Sequence, residues 1–366
     1  MTILEPGQII NNTYEVENYI GEGAFAEVYR VKHRFLGRQA LKVFKTPGIS
    51  IKDIDIYLSE AVILSKIDHP NIVRVFDANV FKLTNNNFGF FTMEYLPGGS
   101  LEKLWLSHGY SLMQVNQVVE IISQVCSGIS IAHAKNPPII HRDIKPQNIL
   151  LGFNQDKLLV KISDFGLAKK VNPLTLMASA RGTIGFKAPE TLENPMHDSC
   201  SGDVWAIGVT FFLLLTDMMP FGKMGATDWY QKEQYKKPRR LAGQINLNVD
   251  KELENILSSA LAVDPKERFS NASEMLMEIN IWQKNYQKNI PNDQYSKSTP
   301  EYLNGDETKE NNNQAEILVN KALELSMFPS KLNQAVNLMA QAFDLNPKLH
   351  IRFDYQVDLW RKGFSG

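Results

Sequence analysis

Between residues 14 and 96 apolar and polar positions alternate in short runs that glycines interrupt. Tyr14–Ile20, Ala26–His33, Gln39–Phe44, Val73–Val80 and Gly89–Tyr95 each carry the two-residue period of a strand. One stretch among them, Ile54–Ile67, has apolar residues at helical spacing instead. Pro97-Gly98-Gly99 then breaks the pattern as a hinge would. From Leu101 to about residue 283 the period is mainly helical. The pattern predicts a strand-rich lobe, a hinge and a helix-rich lobe. From 285 to 313 Asn, Asp, Lys, Ser and Pro dominate and apolar residues nearly vanish, the composition of a linker. Beyond it, Ala315–Phe328 and Leu332–Leu345 each carry an apolar helical stripe, Leu318, Ala322 and Leu325 for example. Pro329 separates them and Asn346-Pro347 ends the second.

Composition narrows the class. The chain has 366 residues, more than one ordinary core holds, so a two-lobed unit with an appendage is expected. Hydrophobic residues make up 43% and charged residues 22%, ordinary for a globular protein. A net charge of -1 provides no field that would draw in nucleic acid or an anionic membrane. Two cysteines, Cys126 and Cys200, form neither a metal-ligand spacing nor a disulfide framework, which suits a reducing compartment. The most apolar stretch, Val204–Met219, is shorter than a bilayer span and reads as a buried core helix. A cytoplasmic location without a membrane span is the expectation.

Candidate chemistry lies in five motifs, in chain order. Gly21-Glu22-Gly23-Ala24-Phe25-Ala26-Glu27-Val28 would fold as strand, tight turn and strand, a flap whose backbone can approach phosphates. An ordinary hairpin accounts for this motif about equally well. Ala40-Leu41-Lys42-Val43 puts a lysine on one face of a strand, able to touch the α- and β-phosphates, with Glu60 on the 54–67 helix as its partner. Taken singly, such charges are more often solvated surface groups. His141-Arg142-Asp143-Ile144-Lys145-Pro146-Gln147-Asn148 is far more specific: Asp143 can orient a hydroxyl and accept its proton, Lys145 can neutralise a phosphoryl group, and Asn148 can hold Mg²⁺. Asp164-Phe165-Gly166 offers a second magnesium ligand in Asp164, and Ala188-Pro189-Glu190 closes the segment that begins there.

With these motifs in this order, residues 14–284 resemble the eukaryotic-type protein kinases, in the style of the bacterial serine/threonine branch. The resemblance implies an α+β fold with a β-rich N-lobe (14–96) and a helical C-lobe (97–284); beyond it, composition gives a linker (285–313) and the paired stripes resemble a tetratricopeptide-type helical hairpin (314–366). The kinase resemblance also implies ATP and Mg²⁺ as cofactors and protein substrates. Gly21, Gly23, Val28, Ala40, Lys42, Glu94, Leu96 and Leu150 would bind the nucleotide, with Met93 as gatekeeper. Asp143, Lys145, Lys42 and Glu60 would be catalytic, and Asn148 and Asp164 would hold metal. Asp203 and Trp205 would anchor the catalytic loop, Arg268 would pair with Glu190, and Leu64, Val75, His141 and Phe165 would stack as a spine. Lys145 and Thr183 point to serine or threonine as acceptor. Arg142 and Lys169 would converge on a phosphate at Ser179 or Thr175. One departure is Ala26, where the usual flap has a third glycine. A scaffold of the same fold without activity, and a small-molecule kinase, are the competing readings. The present Lys42, Glu60, Asp143, Asn148 and Asp164 speak against the first, and the 183–190 segment with Asp203 against the second. A lone hairpin cannot bury its own stripes, so 314–366 is expected to self-associate or to dock on a partner or on the kinase domain.

Overall fold

A computed structural model of the chain describes residues 2–23, 25–45, 58, 61–83, 86–107, 112–154, 157–165, 184–194, 197–221, 235, 238–289, 307–326, 328–346, 349, 353, 357 and 360–361. They fall into two compact units. One comprises Met1–Tyr95, Leu112–Ile149 and Lys161–Ile279, the other Leu96–Ser111, Leu150–Val160 and Asn280–Gly366.

The first unit opens with a six-stranded antiparallel sheet. Its strands are β1 (Ile9–Ile10), β2 (Tyr14–Glu22), β3 (Ala26–His33), β4 (Gly37–Phe44), β5 (Val75–Leu83) and β6 (Asn86–Glu94), in the order β1-β2-β3-β4-β6-β5. In β4 nearly every side chain is buried, because both faces are covered. Leu41 and Val43 enter a core with Leu4, Ile10, Val16, Tyr29, Val31 and Phe90. Ala40 and Lys42 alternate to the opposite face. Sequence reading began this lobe at residue 14. Leu4 and Ile10 are 1% and 2% exposed in the same core, so the lobe takes in the residues before Tyr14. A two-residue strand such as β1 is too short to show a period, and it is the packing of Ile10 that fixes it.

The helices of the first unit centre on α2 (Val115–His133) and α4 (Cys200–Thr216), which pack together. They are numbered after α1 (Leu101–Ser107) of the second unit and α3 (Pro189–Glu193) of the first; α5 (Ala242–Ile245) and α6 (Lys251–Ala260) follow. Among the described residues α2 alone is long and apolar enough to cross a membrane; Val118, Ile122, Val125 and Ile129 bury it in this core. The apolar stretch expected as a core helix is α4, buried from Asp203 to Thr216. Ser199 caps it by accepting from the Gly202 amide at 3.1 Å. Its hydroxyls turn inward: Thr210 donates to Ala206 O at 2.9 Å and Thr216 to Phe212 O at 2.7 Å, so neither leaves an unpaired polar group.

In the second unit the hinge residues lie against the hairpin of β7 (Ile149–Asn154) and β8 (Lys157–Ile162). Leu151 N donates to Gly99 O at 2.8 Å. A Cβ on Gly98 would stand 2.6 Å from the Leu151 carbonyl oxygen, and Gly99 has φ +70°. The two glycines are therefore required for different reasons, close approach and backbone hand.

The segment drawn as linker, 285–313, is helical at both ends. α7 (Ala272–Asn289) runs into it and α8 (Glu307–Ser326) starts within it. Polar residues extend each helix outward by a turn or more, which an apolar-period criterion does not detect. The tail is also more than a hairpin. After α8, a 3₁₀ turn (Pro329–Lys331) and α9 (Leu332–Leu345), residues Phe353, Val357 and Trp360 are helical and 0–2% exposed. They join Ala315, Val319, Ala322, Ala335, Met339 and Ala342 in one apolar cluster. A third helical stripe supplies the cover that two helices lack.

Gly98→Ala should lower the stability of the chain by about 1–3 kcal/mol, the usual cost of overpacking. Gly23→Ala, whose Cβ would meet nothing within 4 Å, should not. Thermal unfolding of the two variants beside wild type checks the contrast.

Candidate active site

The β2–β3 flap is a continuation of the sheet ladder. Gly21 pairs with Val28 and Glu22 with Glu27, and Gly23 N donates to Ala26 O at 2.8 Å. A Cβ on Gly21 or Gly23 would touch no protein atom, so the space above the turn is open to a ligand. Across the ladder Val28 faces Lys42, and Ala40 faces Met93. Val28, Ala40, Lys42 and Met93 therefore share the sheet face opposite the Leu41–Val43 core. Glu94 N donates to Arg74 O at 2.9 Å, and its carboxylate pairs with Lys161 at 2.8 Å. Leu96 and Leu150 belong to the second unit, where Leu96 is buried and Leu150 bridges to Ser100.

Lys42 is 6% exposed, so its ammonium must be paired. It bonds Asp164, and it lies 5.5 Å from the centre of the Phe91 ring. Its expected partner Glu60 lies outside the described residues, as do Gly166, Lys169, Thr175, Ser179 and Thr183.

The loop 141–148 is assembled around one buried carboxylate. Asp203, in the first turn of α4, accepts from His141 N at 2.7 Å and from Arg142 N at 2.8 Å, and it bonds His133 Nε2 at 3.0 Å. His133 Nδ1 accepts from Ala272 N, which puts the ring proton on Nε2, facing Asp203. Burial by itself would raise the Asp203 pKa. The bond from His133 and the Arg142 amide outweigh it and hold the carboxyl below its usual range. His141 is fully buried, and burial lowers its pKa. Its Nδ1 accepts from Asp143 N at 3.2 Å and its Nε2 faces Ser163 O at 2.9 Å, the pattern of the neutral Nε2–H ring. The ring also meets Phe165 at 4.5 Å between centroids. Leu64 is buried and Val75 half-buried.

The loop presents its chemistry on the other side. Asp143 Oδ2 takes Lys145 Nζ at 2.8 Å and Asn148 Nδ2 at 2.9 Å. Asn148 Nδ2 also donates to Asp143 O at 2.7 Å, which leaves its amide oxygen as the atom for a cation. Ser163 donates from both N and Oγ to Asn148 O, at 2.9 and 3.1 Å, and so ties Asn148 to the residue before Asp164. Two hard oxygen donors held on neighbouring residues fit Mg²⁺, which takes few protein ligands and keeps water and phosphate for the rest.

Arg268 locks the far end of the segment. Its five N–H groups reach Ala262 O, Val263 O, Ser201 O and both oxygens of Glu190, the last two at 2.8 Å. Its guanidinium lies 5.1 Å from the Trp205 ring centre. Sequence reasoning missed His133, Asp198, Lys187, Lys161 and Ser163. No local spacing announces a contact such as His133 with Asp203, 70 residues apart.

Residues 14–289 match the protein kinase domain family. The chain is 31% identical over 278 residues to the serine/threonine-protein kinase PrkC of Bacillus subtilis, covering 75% of this chain and 41% of that one. It is 31% identical over 285 residues to the probable serine/threonine-protein kinase PknB of Lactococcus lactis, covering 76% and 43%. It is 30% identical over 268 residues to calcium/calmodulin-dependent protein kinase type II of Caenorhabditis briggsae, covering 71% and 47%. The chain thus spans less than half the length of each of these relatives. The crystal structure of the Mycobacterium tuberculosis PknI kinase domain shares the fold, with a TM-score of 0.57 at 22% identity over 77% of this chain and 99% of that one.

Asp203→Asn should cost about 3 kcal/mol at neutral pH, because it removes a buried charge from its donors. The pH dependence has a definite sign. A carboxyl whose folded pKa is depressed stabilises above its unfolded value and loses that stabilisation as pH falls through the folded one. His141, with its pKa lowered, favours the unfolded chain once pH drops below the ordinary value of about 6.5. Thermal midpoints should fall from pH 7 to pH 5 and again at lower pH, and the lower step should be smaller in Asp203→Asn.

Proposed function

This chain belongs to the protein kinase domain family, and on that premise we propose that it transfers the γ-phosphoryl group of ATP to serine or threonine hydroxyls of other proteins. The observation that carries the reading is the cluster in one unit of Asp143, Lys145 and Asn148 with Asp164 and Lys42. Asp143 Oδ2 is engaged by Lys145 and Asn148, so Oδ1 accepts the proton of the substrate hydroxyl. The deprotonated substrate hydroxyl oxygen forms the new bond to the γ-phosphorus, and the bond from that phosphorus to the β–γ bridging oxygen breaks, its electron pair leaving with ADP. Lys145 neutralises charge on the moving group, and Lys42 meets the α- and β-phosphates. Asn148 and Asp164 would hold Mg²⁺, which when bound neutralises phosphate charge.

In the same reading Gly21 and Gly23 admit the phosphates. Val28 and Ala40 meet the adenine from the sheet face, and the backbone of Glu94 meets its edge. Glu60 orients Lys42 in the active state, replacing or sharing its bond to Asp164. In this reading residues 14–284 are the kinase domain, 285–313 the linker and 314–366 the helical tail. Protein substrates, a cytoplasmic location and autophosphorylation within 167–181 belong to the same proposal.

Asp143→Asn and Asp164→Asn should each reduce transfer of labelled phosphate from ATP–Mg²⁺ by at least ~100-fold while the chain stays folded. Asparagine tolerates the left-handed backbone of Asp164, where φ is +63°, so the second change removes charge without adding strain. Near-wild-type turnover in either variant would overturn the assignment.

A further inference from the structure

Arg142 stands directly before Asp143 with φ +73°, a left-handed backbone that a long side chain adopts only when its surroundings impose it. Its N–H donates to Asp203 Oδ1 at 2.8 Å. Its carbonyl accepts from Lys187 Nζ. Its Nε donates to Asp198 Oδ2 at 2.8 Å, and the side chains of this pair are 23% and 12% exposed. The first two contacts hold the ends of the residue, and the third holds its side chain.

Asp198 immediately precedes Ser199, the cap of α4, and Asp203 lies in the first turn of the same helix. The start of α4 therefore grips residue 142 twice, by backbone and by guanidinium. The positive charge of Lys187 also meets residue 142, so the position needs an anion nearby. A charge-assisted bond at this depth is stronger than an exposed surface pair.

We infer that Asp198 is a positioning residue that acts through Arg142: its carboxylate supplies the anion that sets Arg142, and with it Asp143, without a phosphate on the segment 167–181. The inference rests on the reading of Asp143 as the base. It changes what phosphorylation at Ser179 or Thr175 would do, because Arg142 already has its counter-charge from the α4 start. Such a phosphate would add contacts for substrates or partners and would not be a condition for turnover.

The test uses the full chain, ATP–Mg²⁺ and casein as acceptor. Asp198→Asn should lower kcat by about tenfold or more, as small misplacements of a reacting group do, with KM for ATP little changed. Asp198→Glu, which keeps the charge, should recover most of the loss. In an Arg142→Gln background Asp198→Asn should cost nothing further in kcat, because both changes break the same contact. Thr175→Ala combined with Ser179→Ala should keep kcat near wild type. Wild-type kcat in Asp198→Asn, full additivity with Arg142→Gln, or collapse of turnover in the double alanine variant would overturn the inference. If Asp198→Asn does not fold, the Glu variant and the double alanine variant still decide it. Asp143→Asn measured alongside separates failure of this inference from failure of the base assignment.

Discussion

The carboxylate of Asp203 is the point on which the catalytic loop turns. It is buried, and a buried anion is tolerated only when donors surround it. Here the donors are the amides of His141 and Arg142 and the ring of His133. Because α4 is buried from Asp203 to Thr216, packing fixes the position of Asp203 before any loop residue is considered. The loop must then bring two consecutive amides to one side chain, which turns Asp143 the other way, toward Lys145 and Asn148. Core packing is thereby converted into the placement of a reactive carboxylate.

A second electrostatic constraint links the sheet to this loop. Lys42 sits on the face of β4 that leaves the core, yet it is almost fully covered. Its charge requires a carboxylate, and Asp164 provides one. The same aspartate is a hard oxygen donor, so the pair joins the residue that would touch nucleotide to the residue that would hold metal. The ion pair holds both groups in place.

Much of this was legible in the sequence, for physical reasons that differ by element. The strands of the sheet were readable as short β-favouring runs broken by glycines, although in β4 and β6 burial covers both faces. β3 was bounded correctly as Ala26–His33. The long core helix α4 was readable from unbroken apolarity, and Arg268 with Glu190 from the resemblance of the motifs. What could not be read were contacts that exist only through tertiary folding: His133 on Asp203, Asp198 on Arg142, Lys161 on Glu94. Each joins residues that no period or motif connects. The third helical stripe of the tail escaped notice for another reason. Phe353, Val357 and Trp360 keep helical spacing, but over a run too short for the 3.6-residue period to be told from other patterns.

Backbone strain shows where these constraints are concentrated. Among the described residues five other than glycine have positive φ: Asn11, Asn12, Arg142, Asp164 and Asp217. Three lie where that conformation is cheap. Asn11 and Asn12 make the tight turn between β1 and β2, for which asparagine is suited. Asp217 ends α4, its N–H returning to Leu213 O, a usual place for a left-handed residue. Arg142 and Asp164 have no such excuse in turn or cap geometry. Arg142 instead flanks the proposed base and Asp164 belongs to the proposed site itself, and contacts hold both: Arg142 to Asp203, Lys187 and Asp198, and Asp164 to Lys42, with Ser163 beside it. Unfavourable backbone that persists under many restraints at one site, and is otherwise confined to turns and caps, marks where the fold has traded local stability for a fixed arrangement of charge. That arrangement, a carboxylate facing a lysine and two oxygen donors on neighbouring residues, is what phosphoryl transfer requires of a protein.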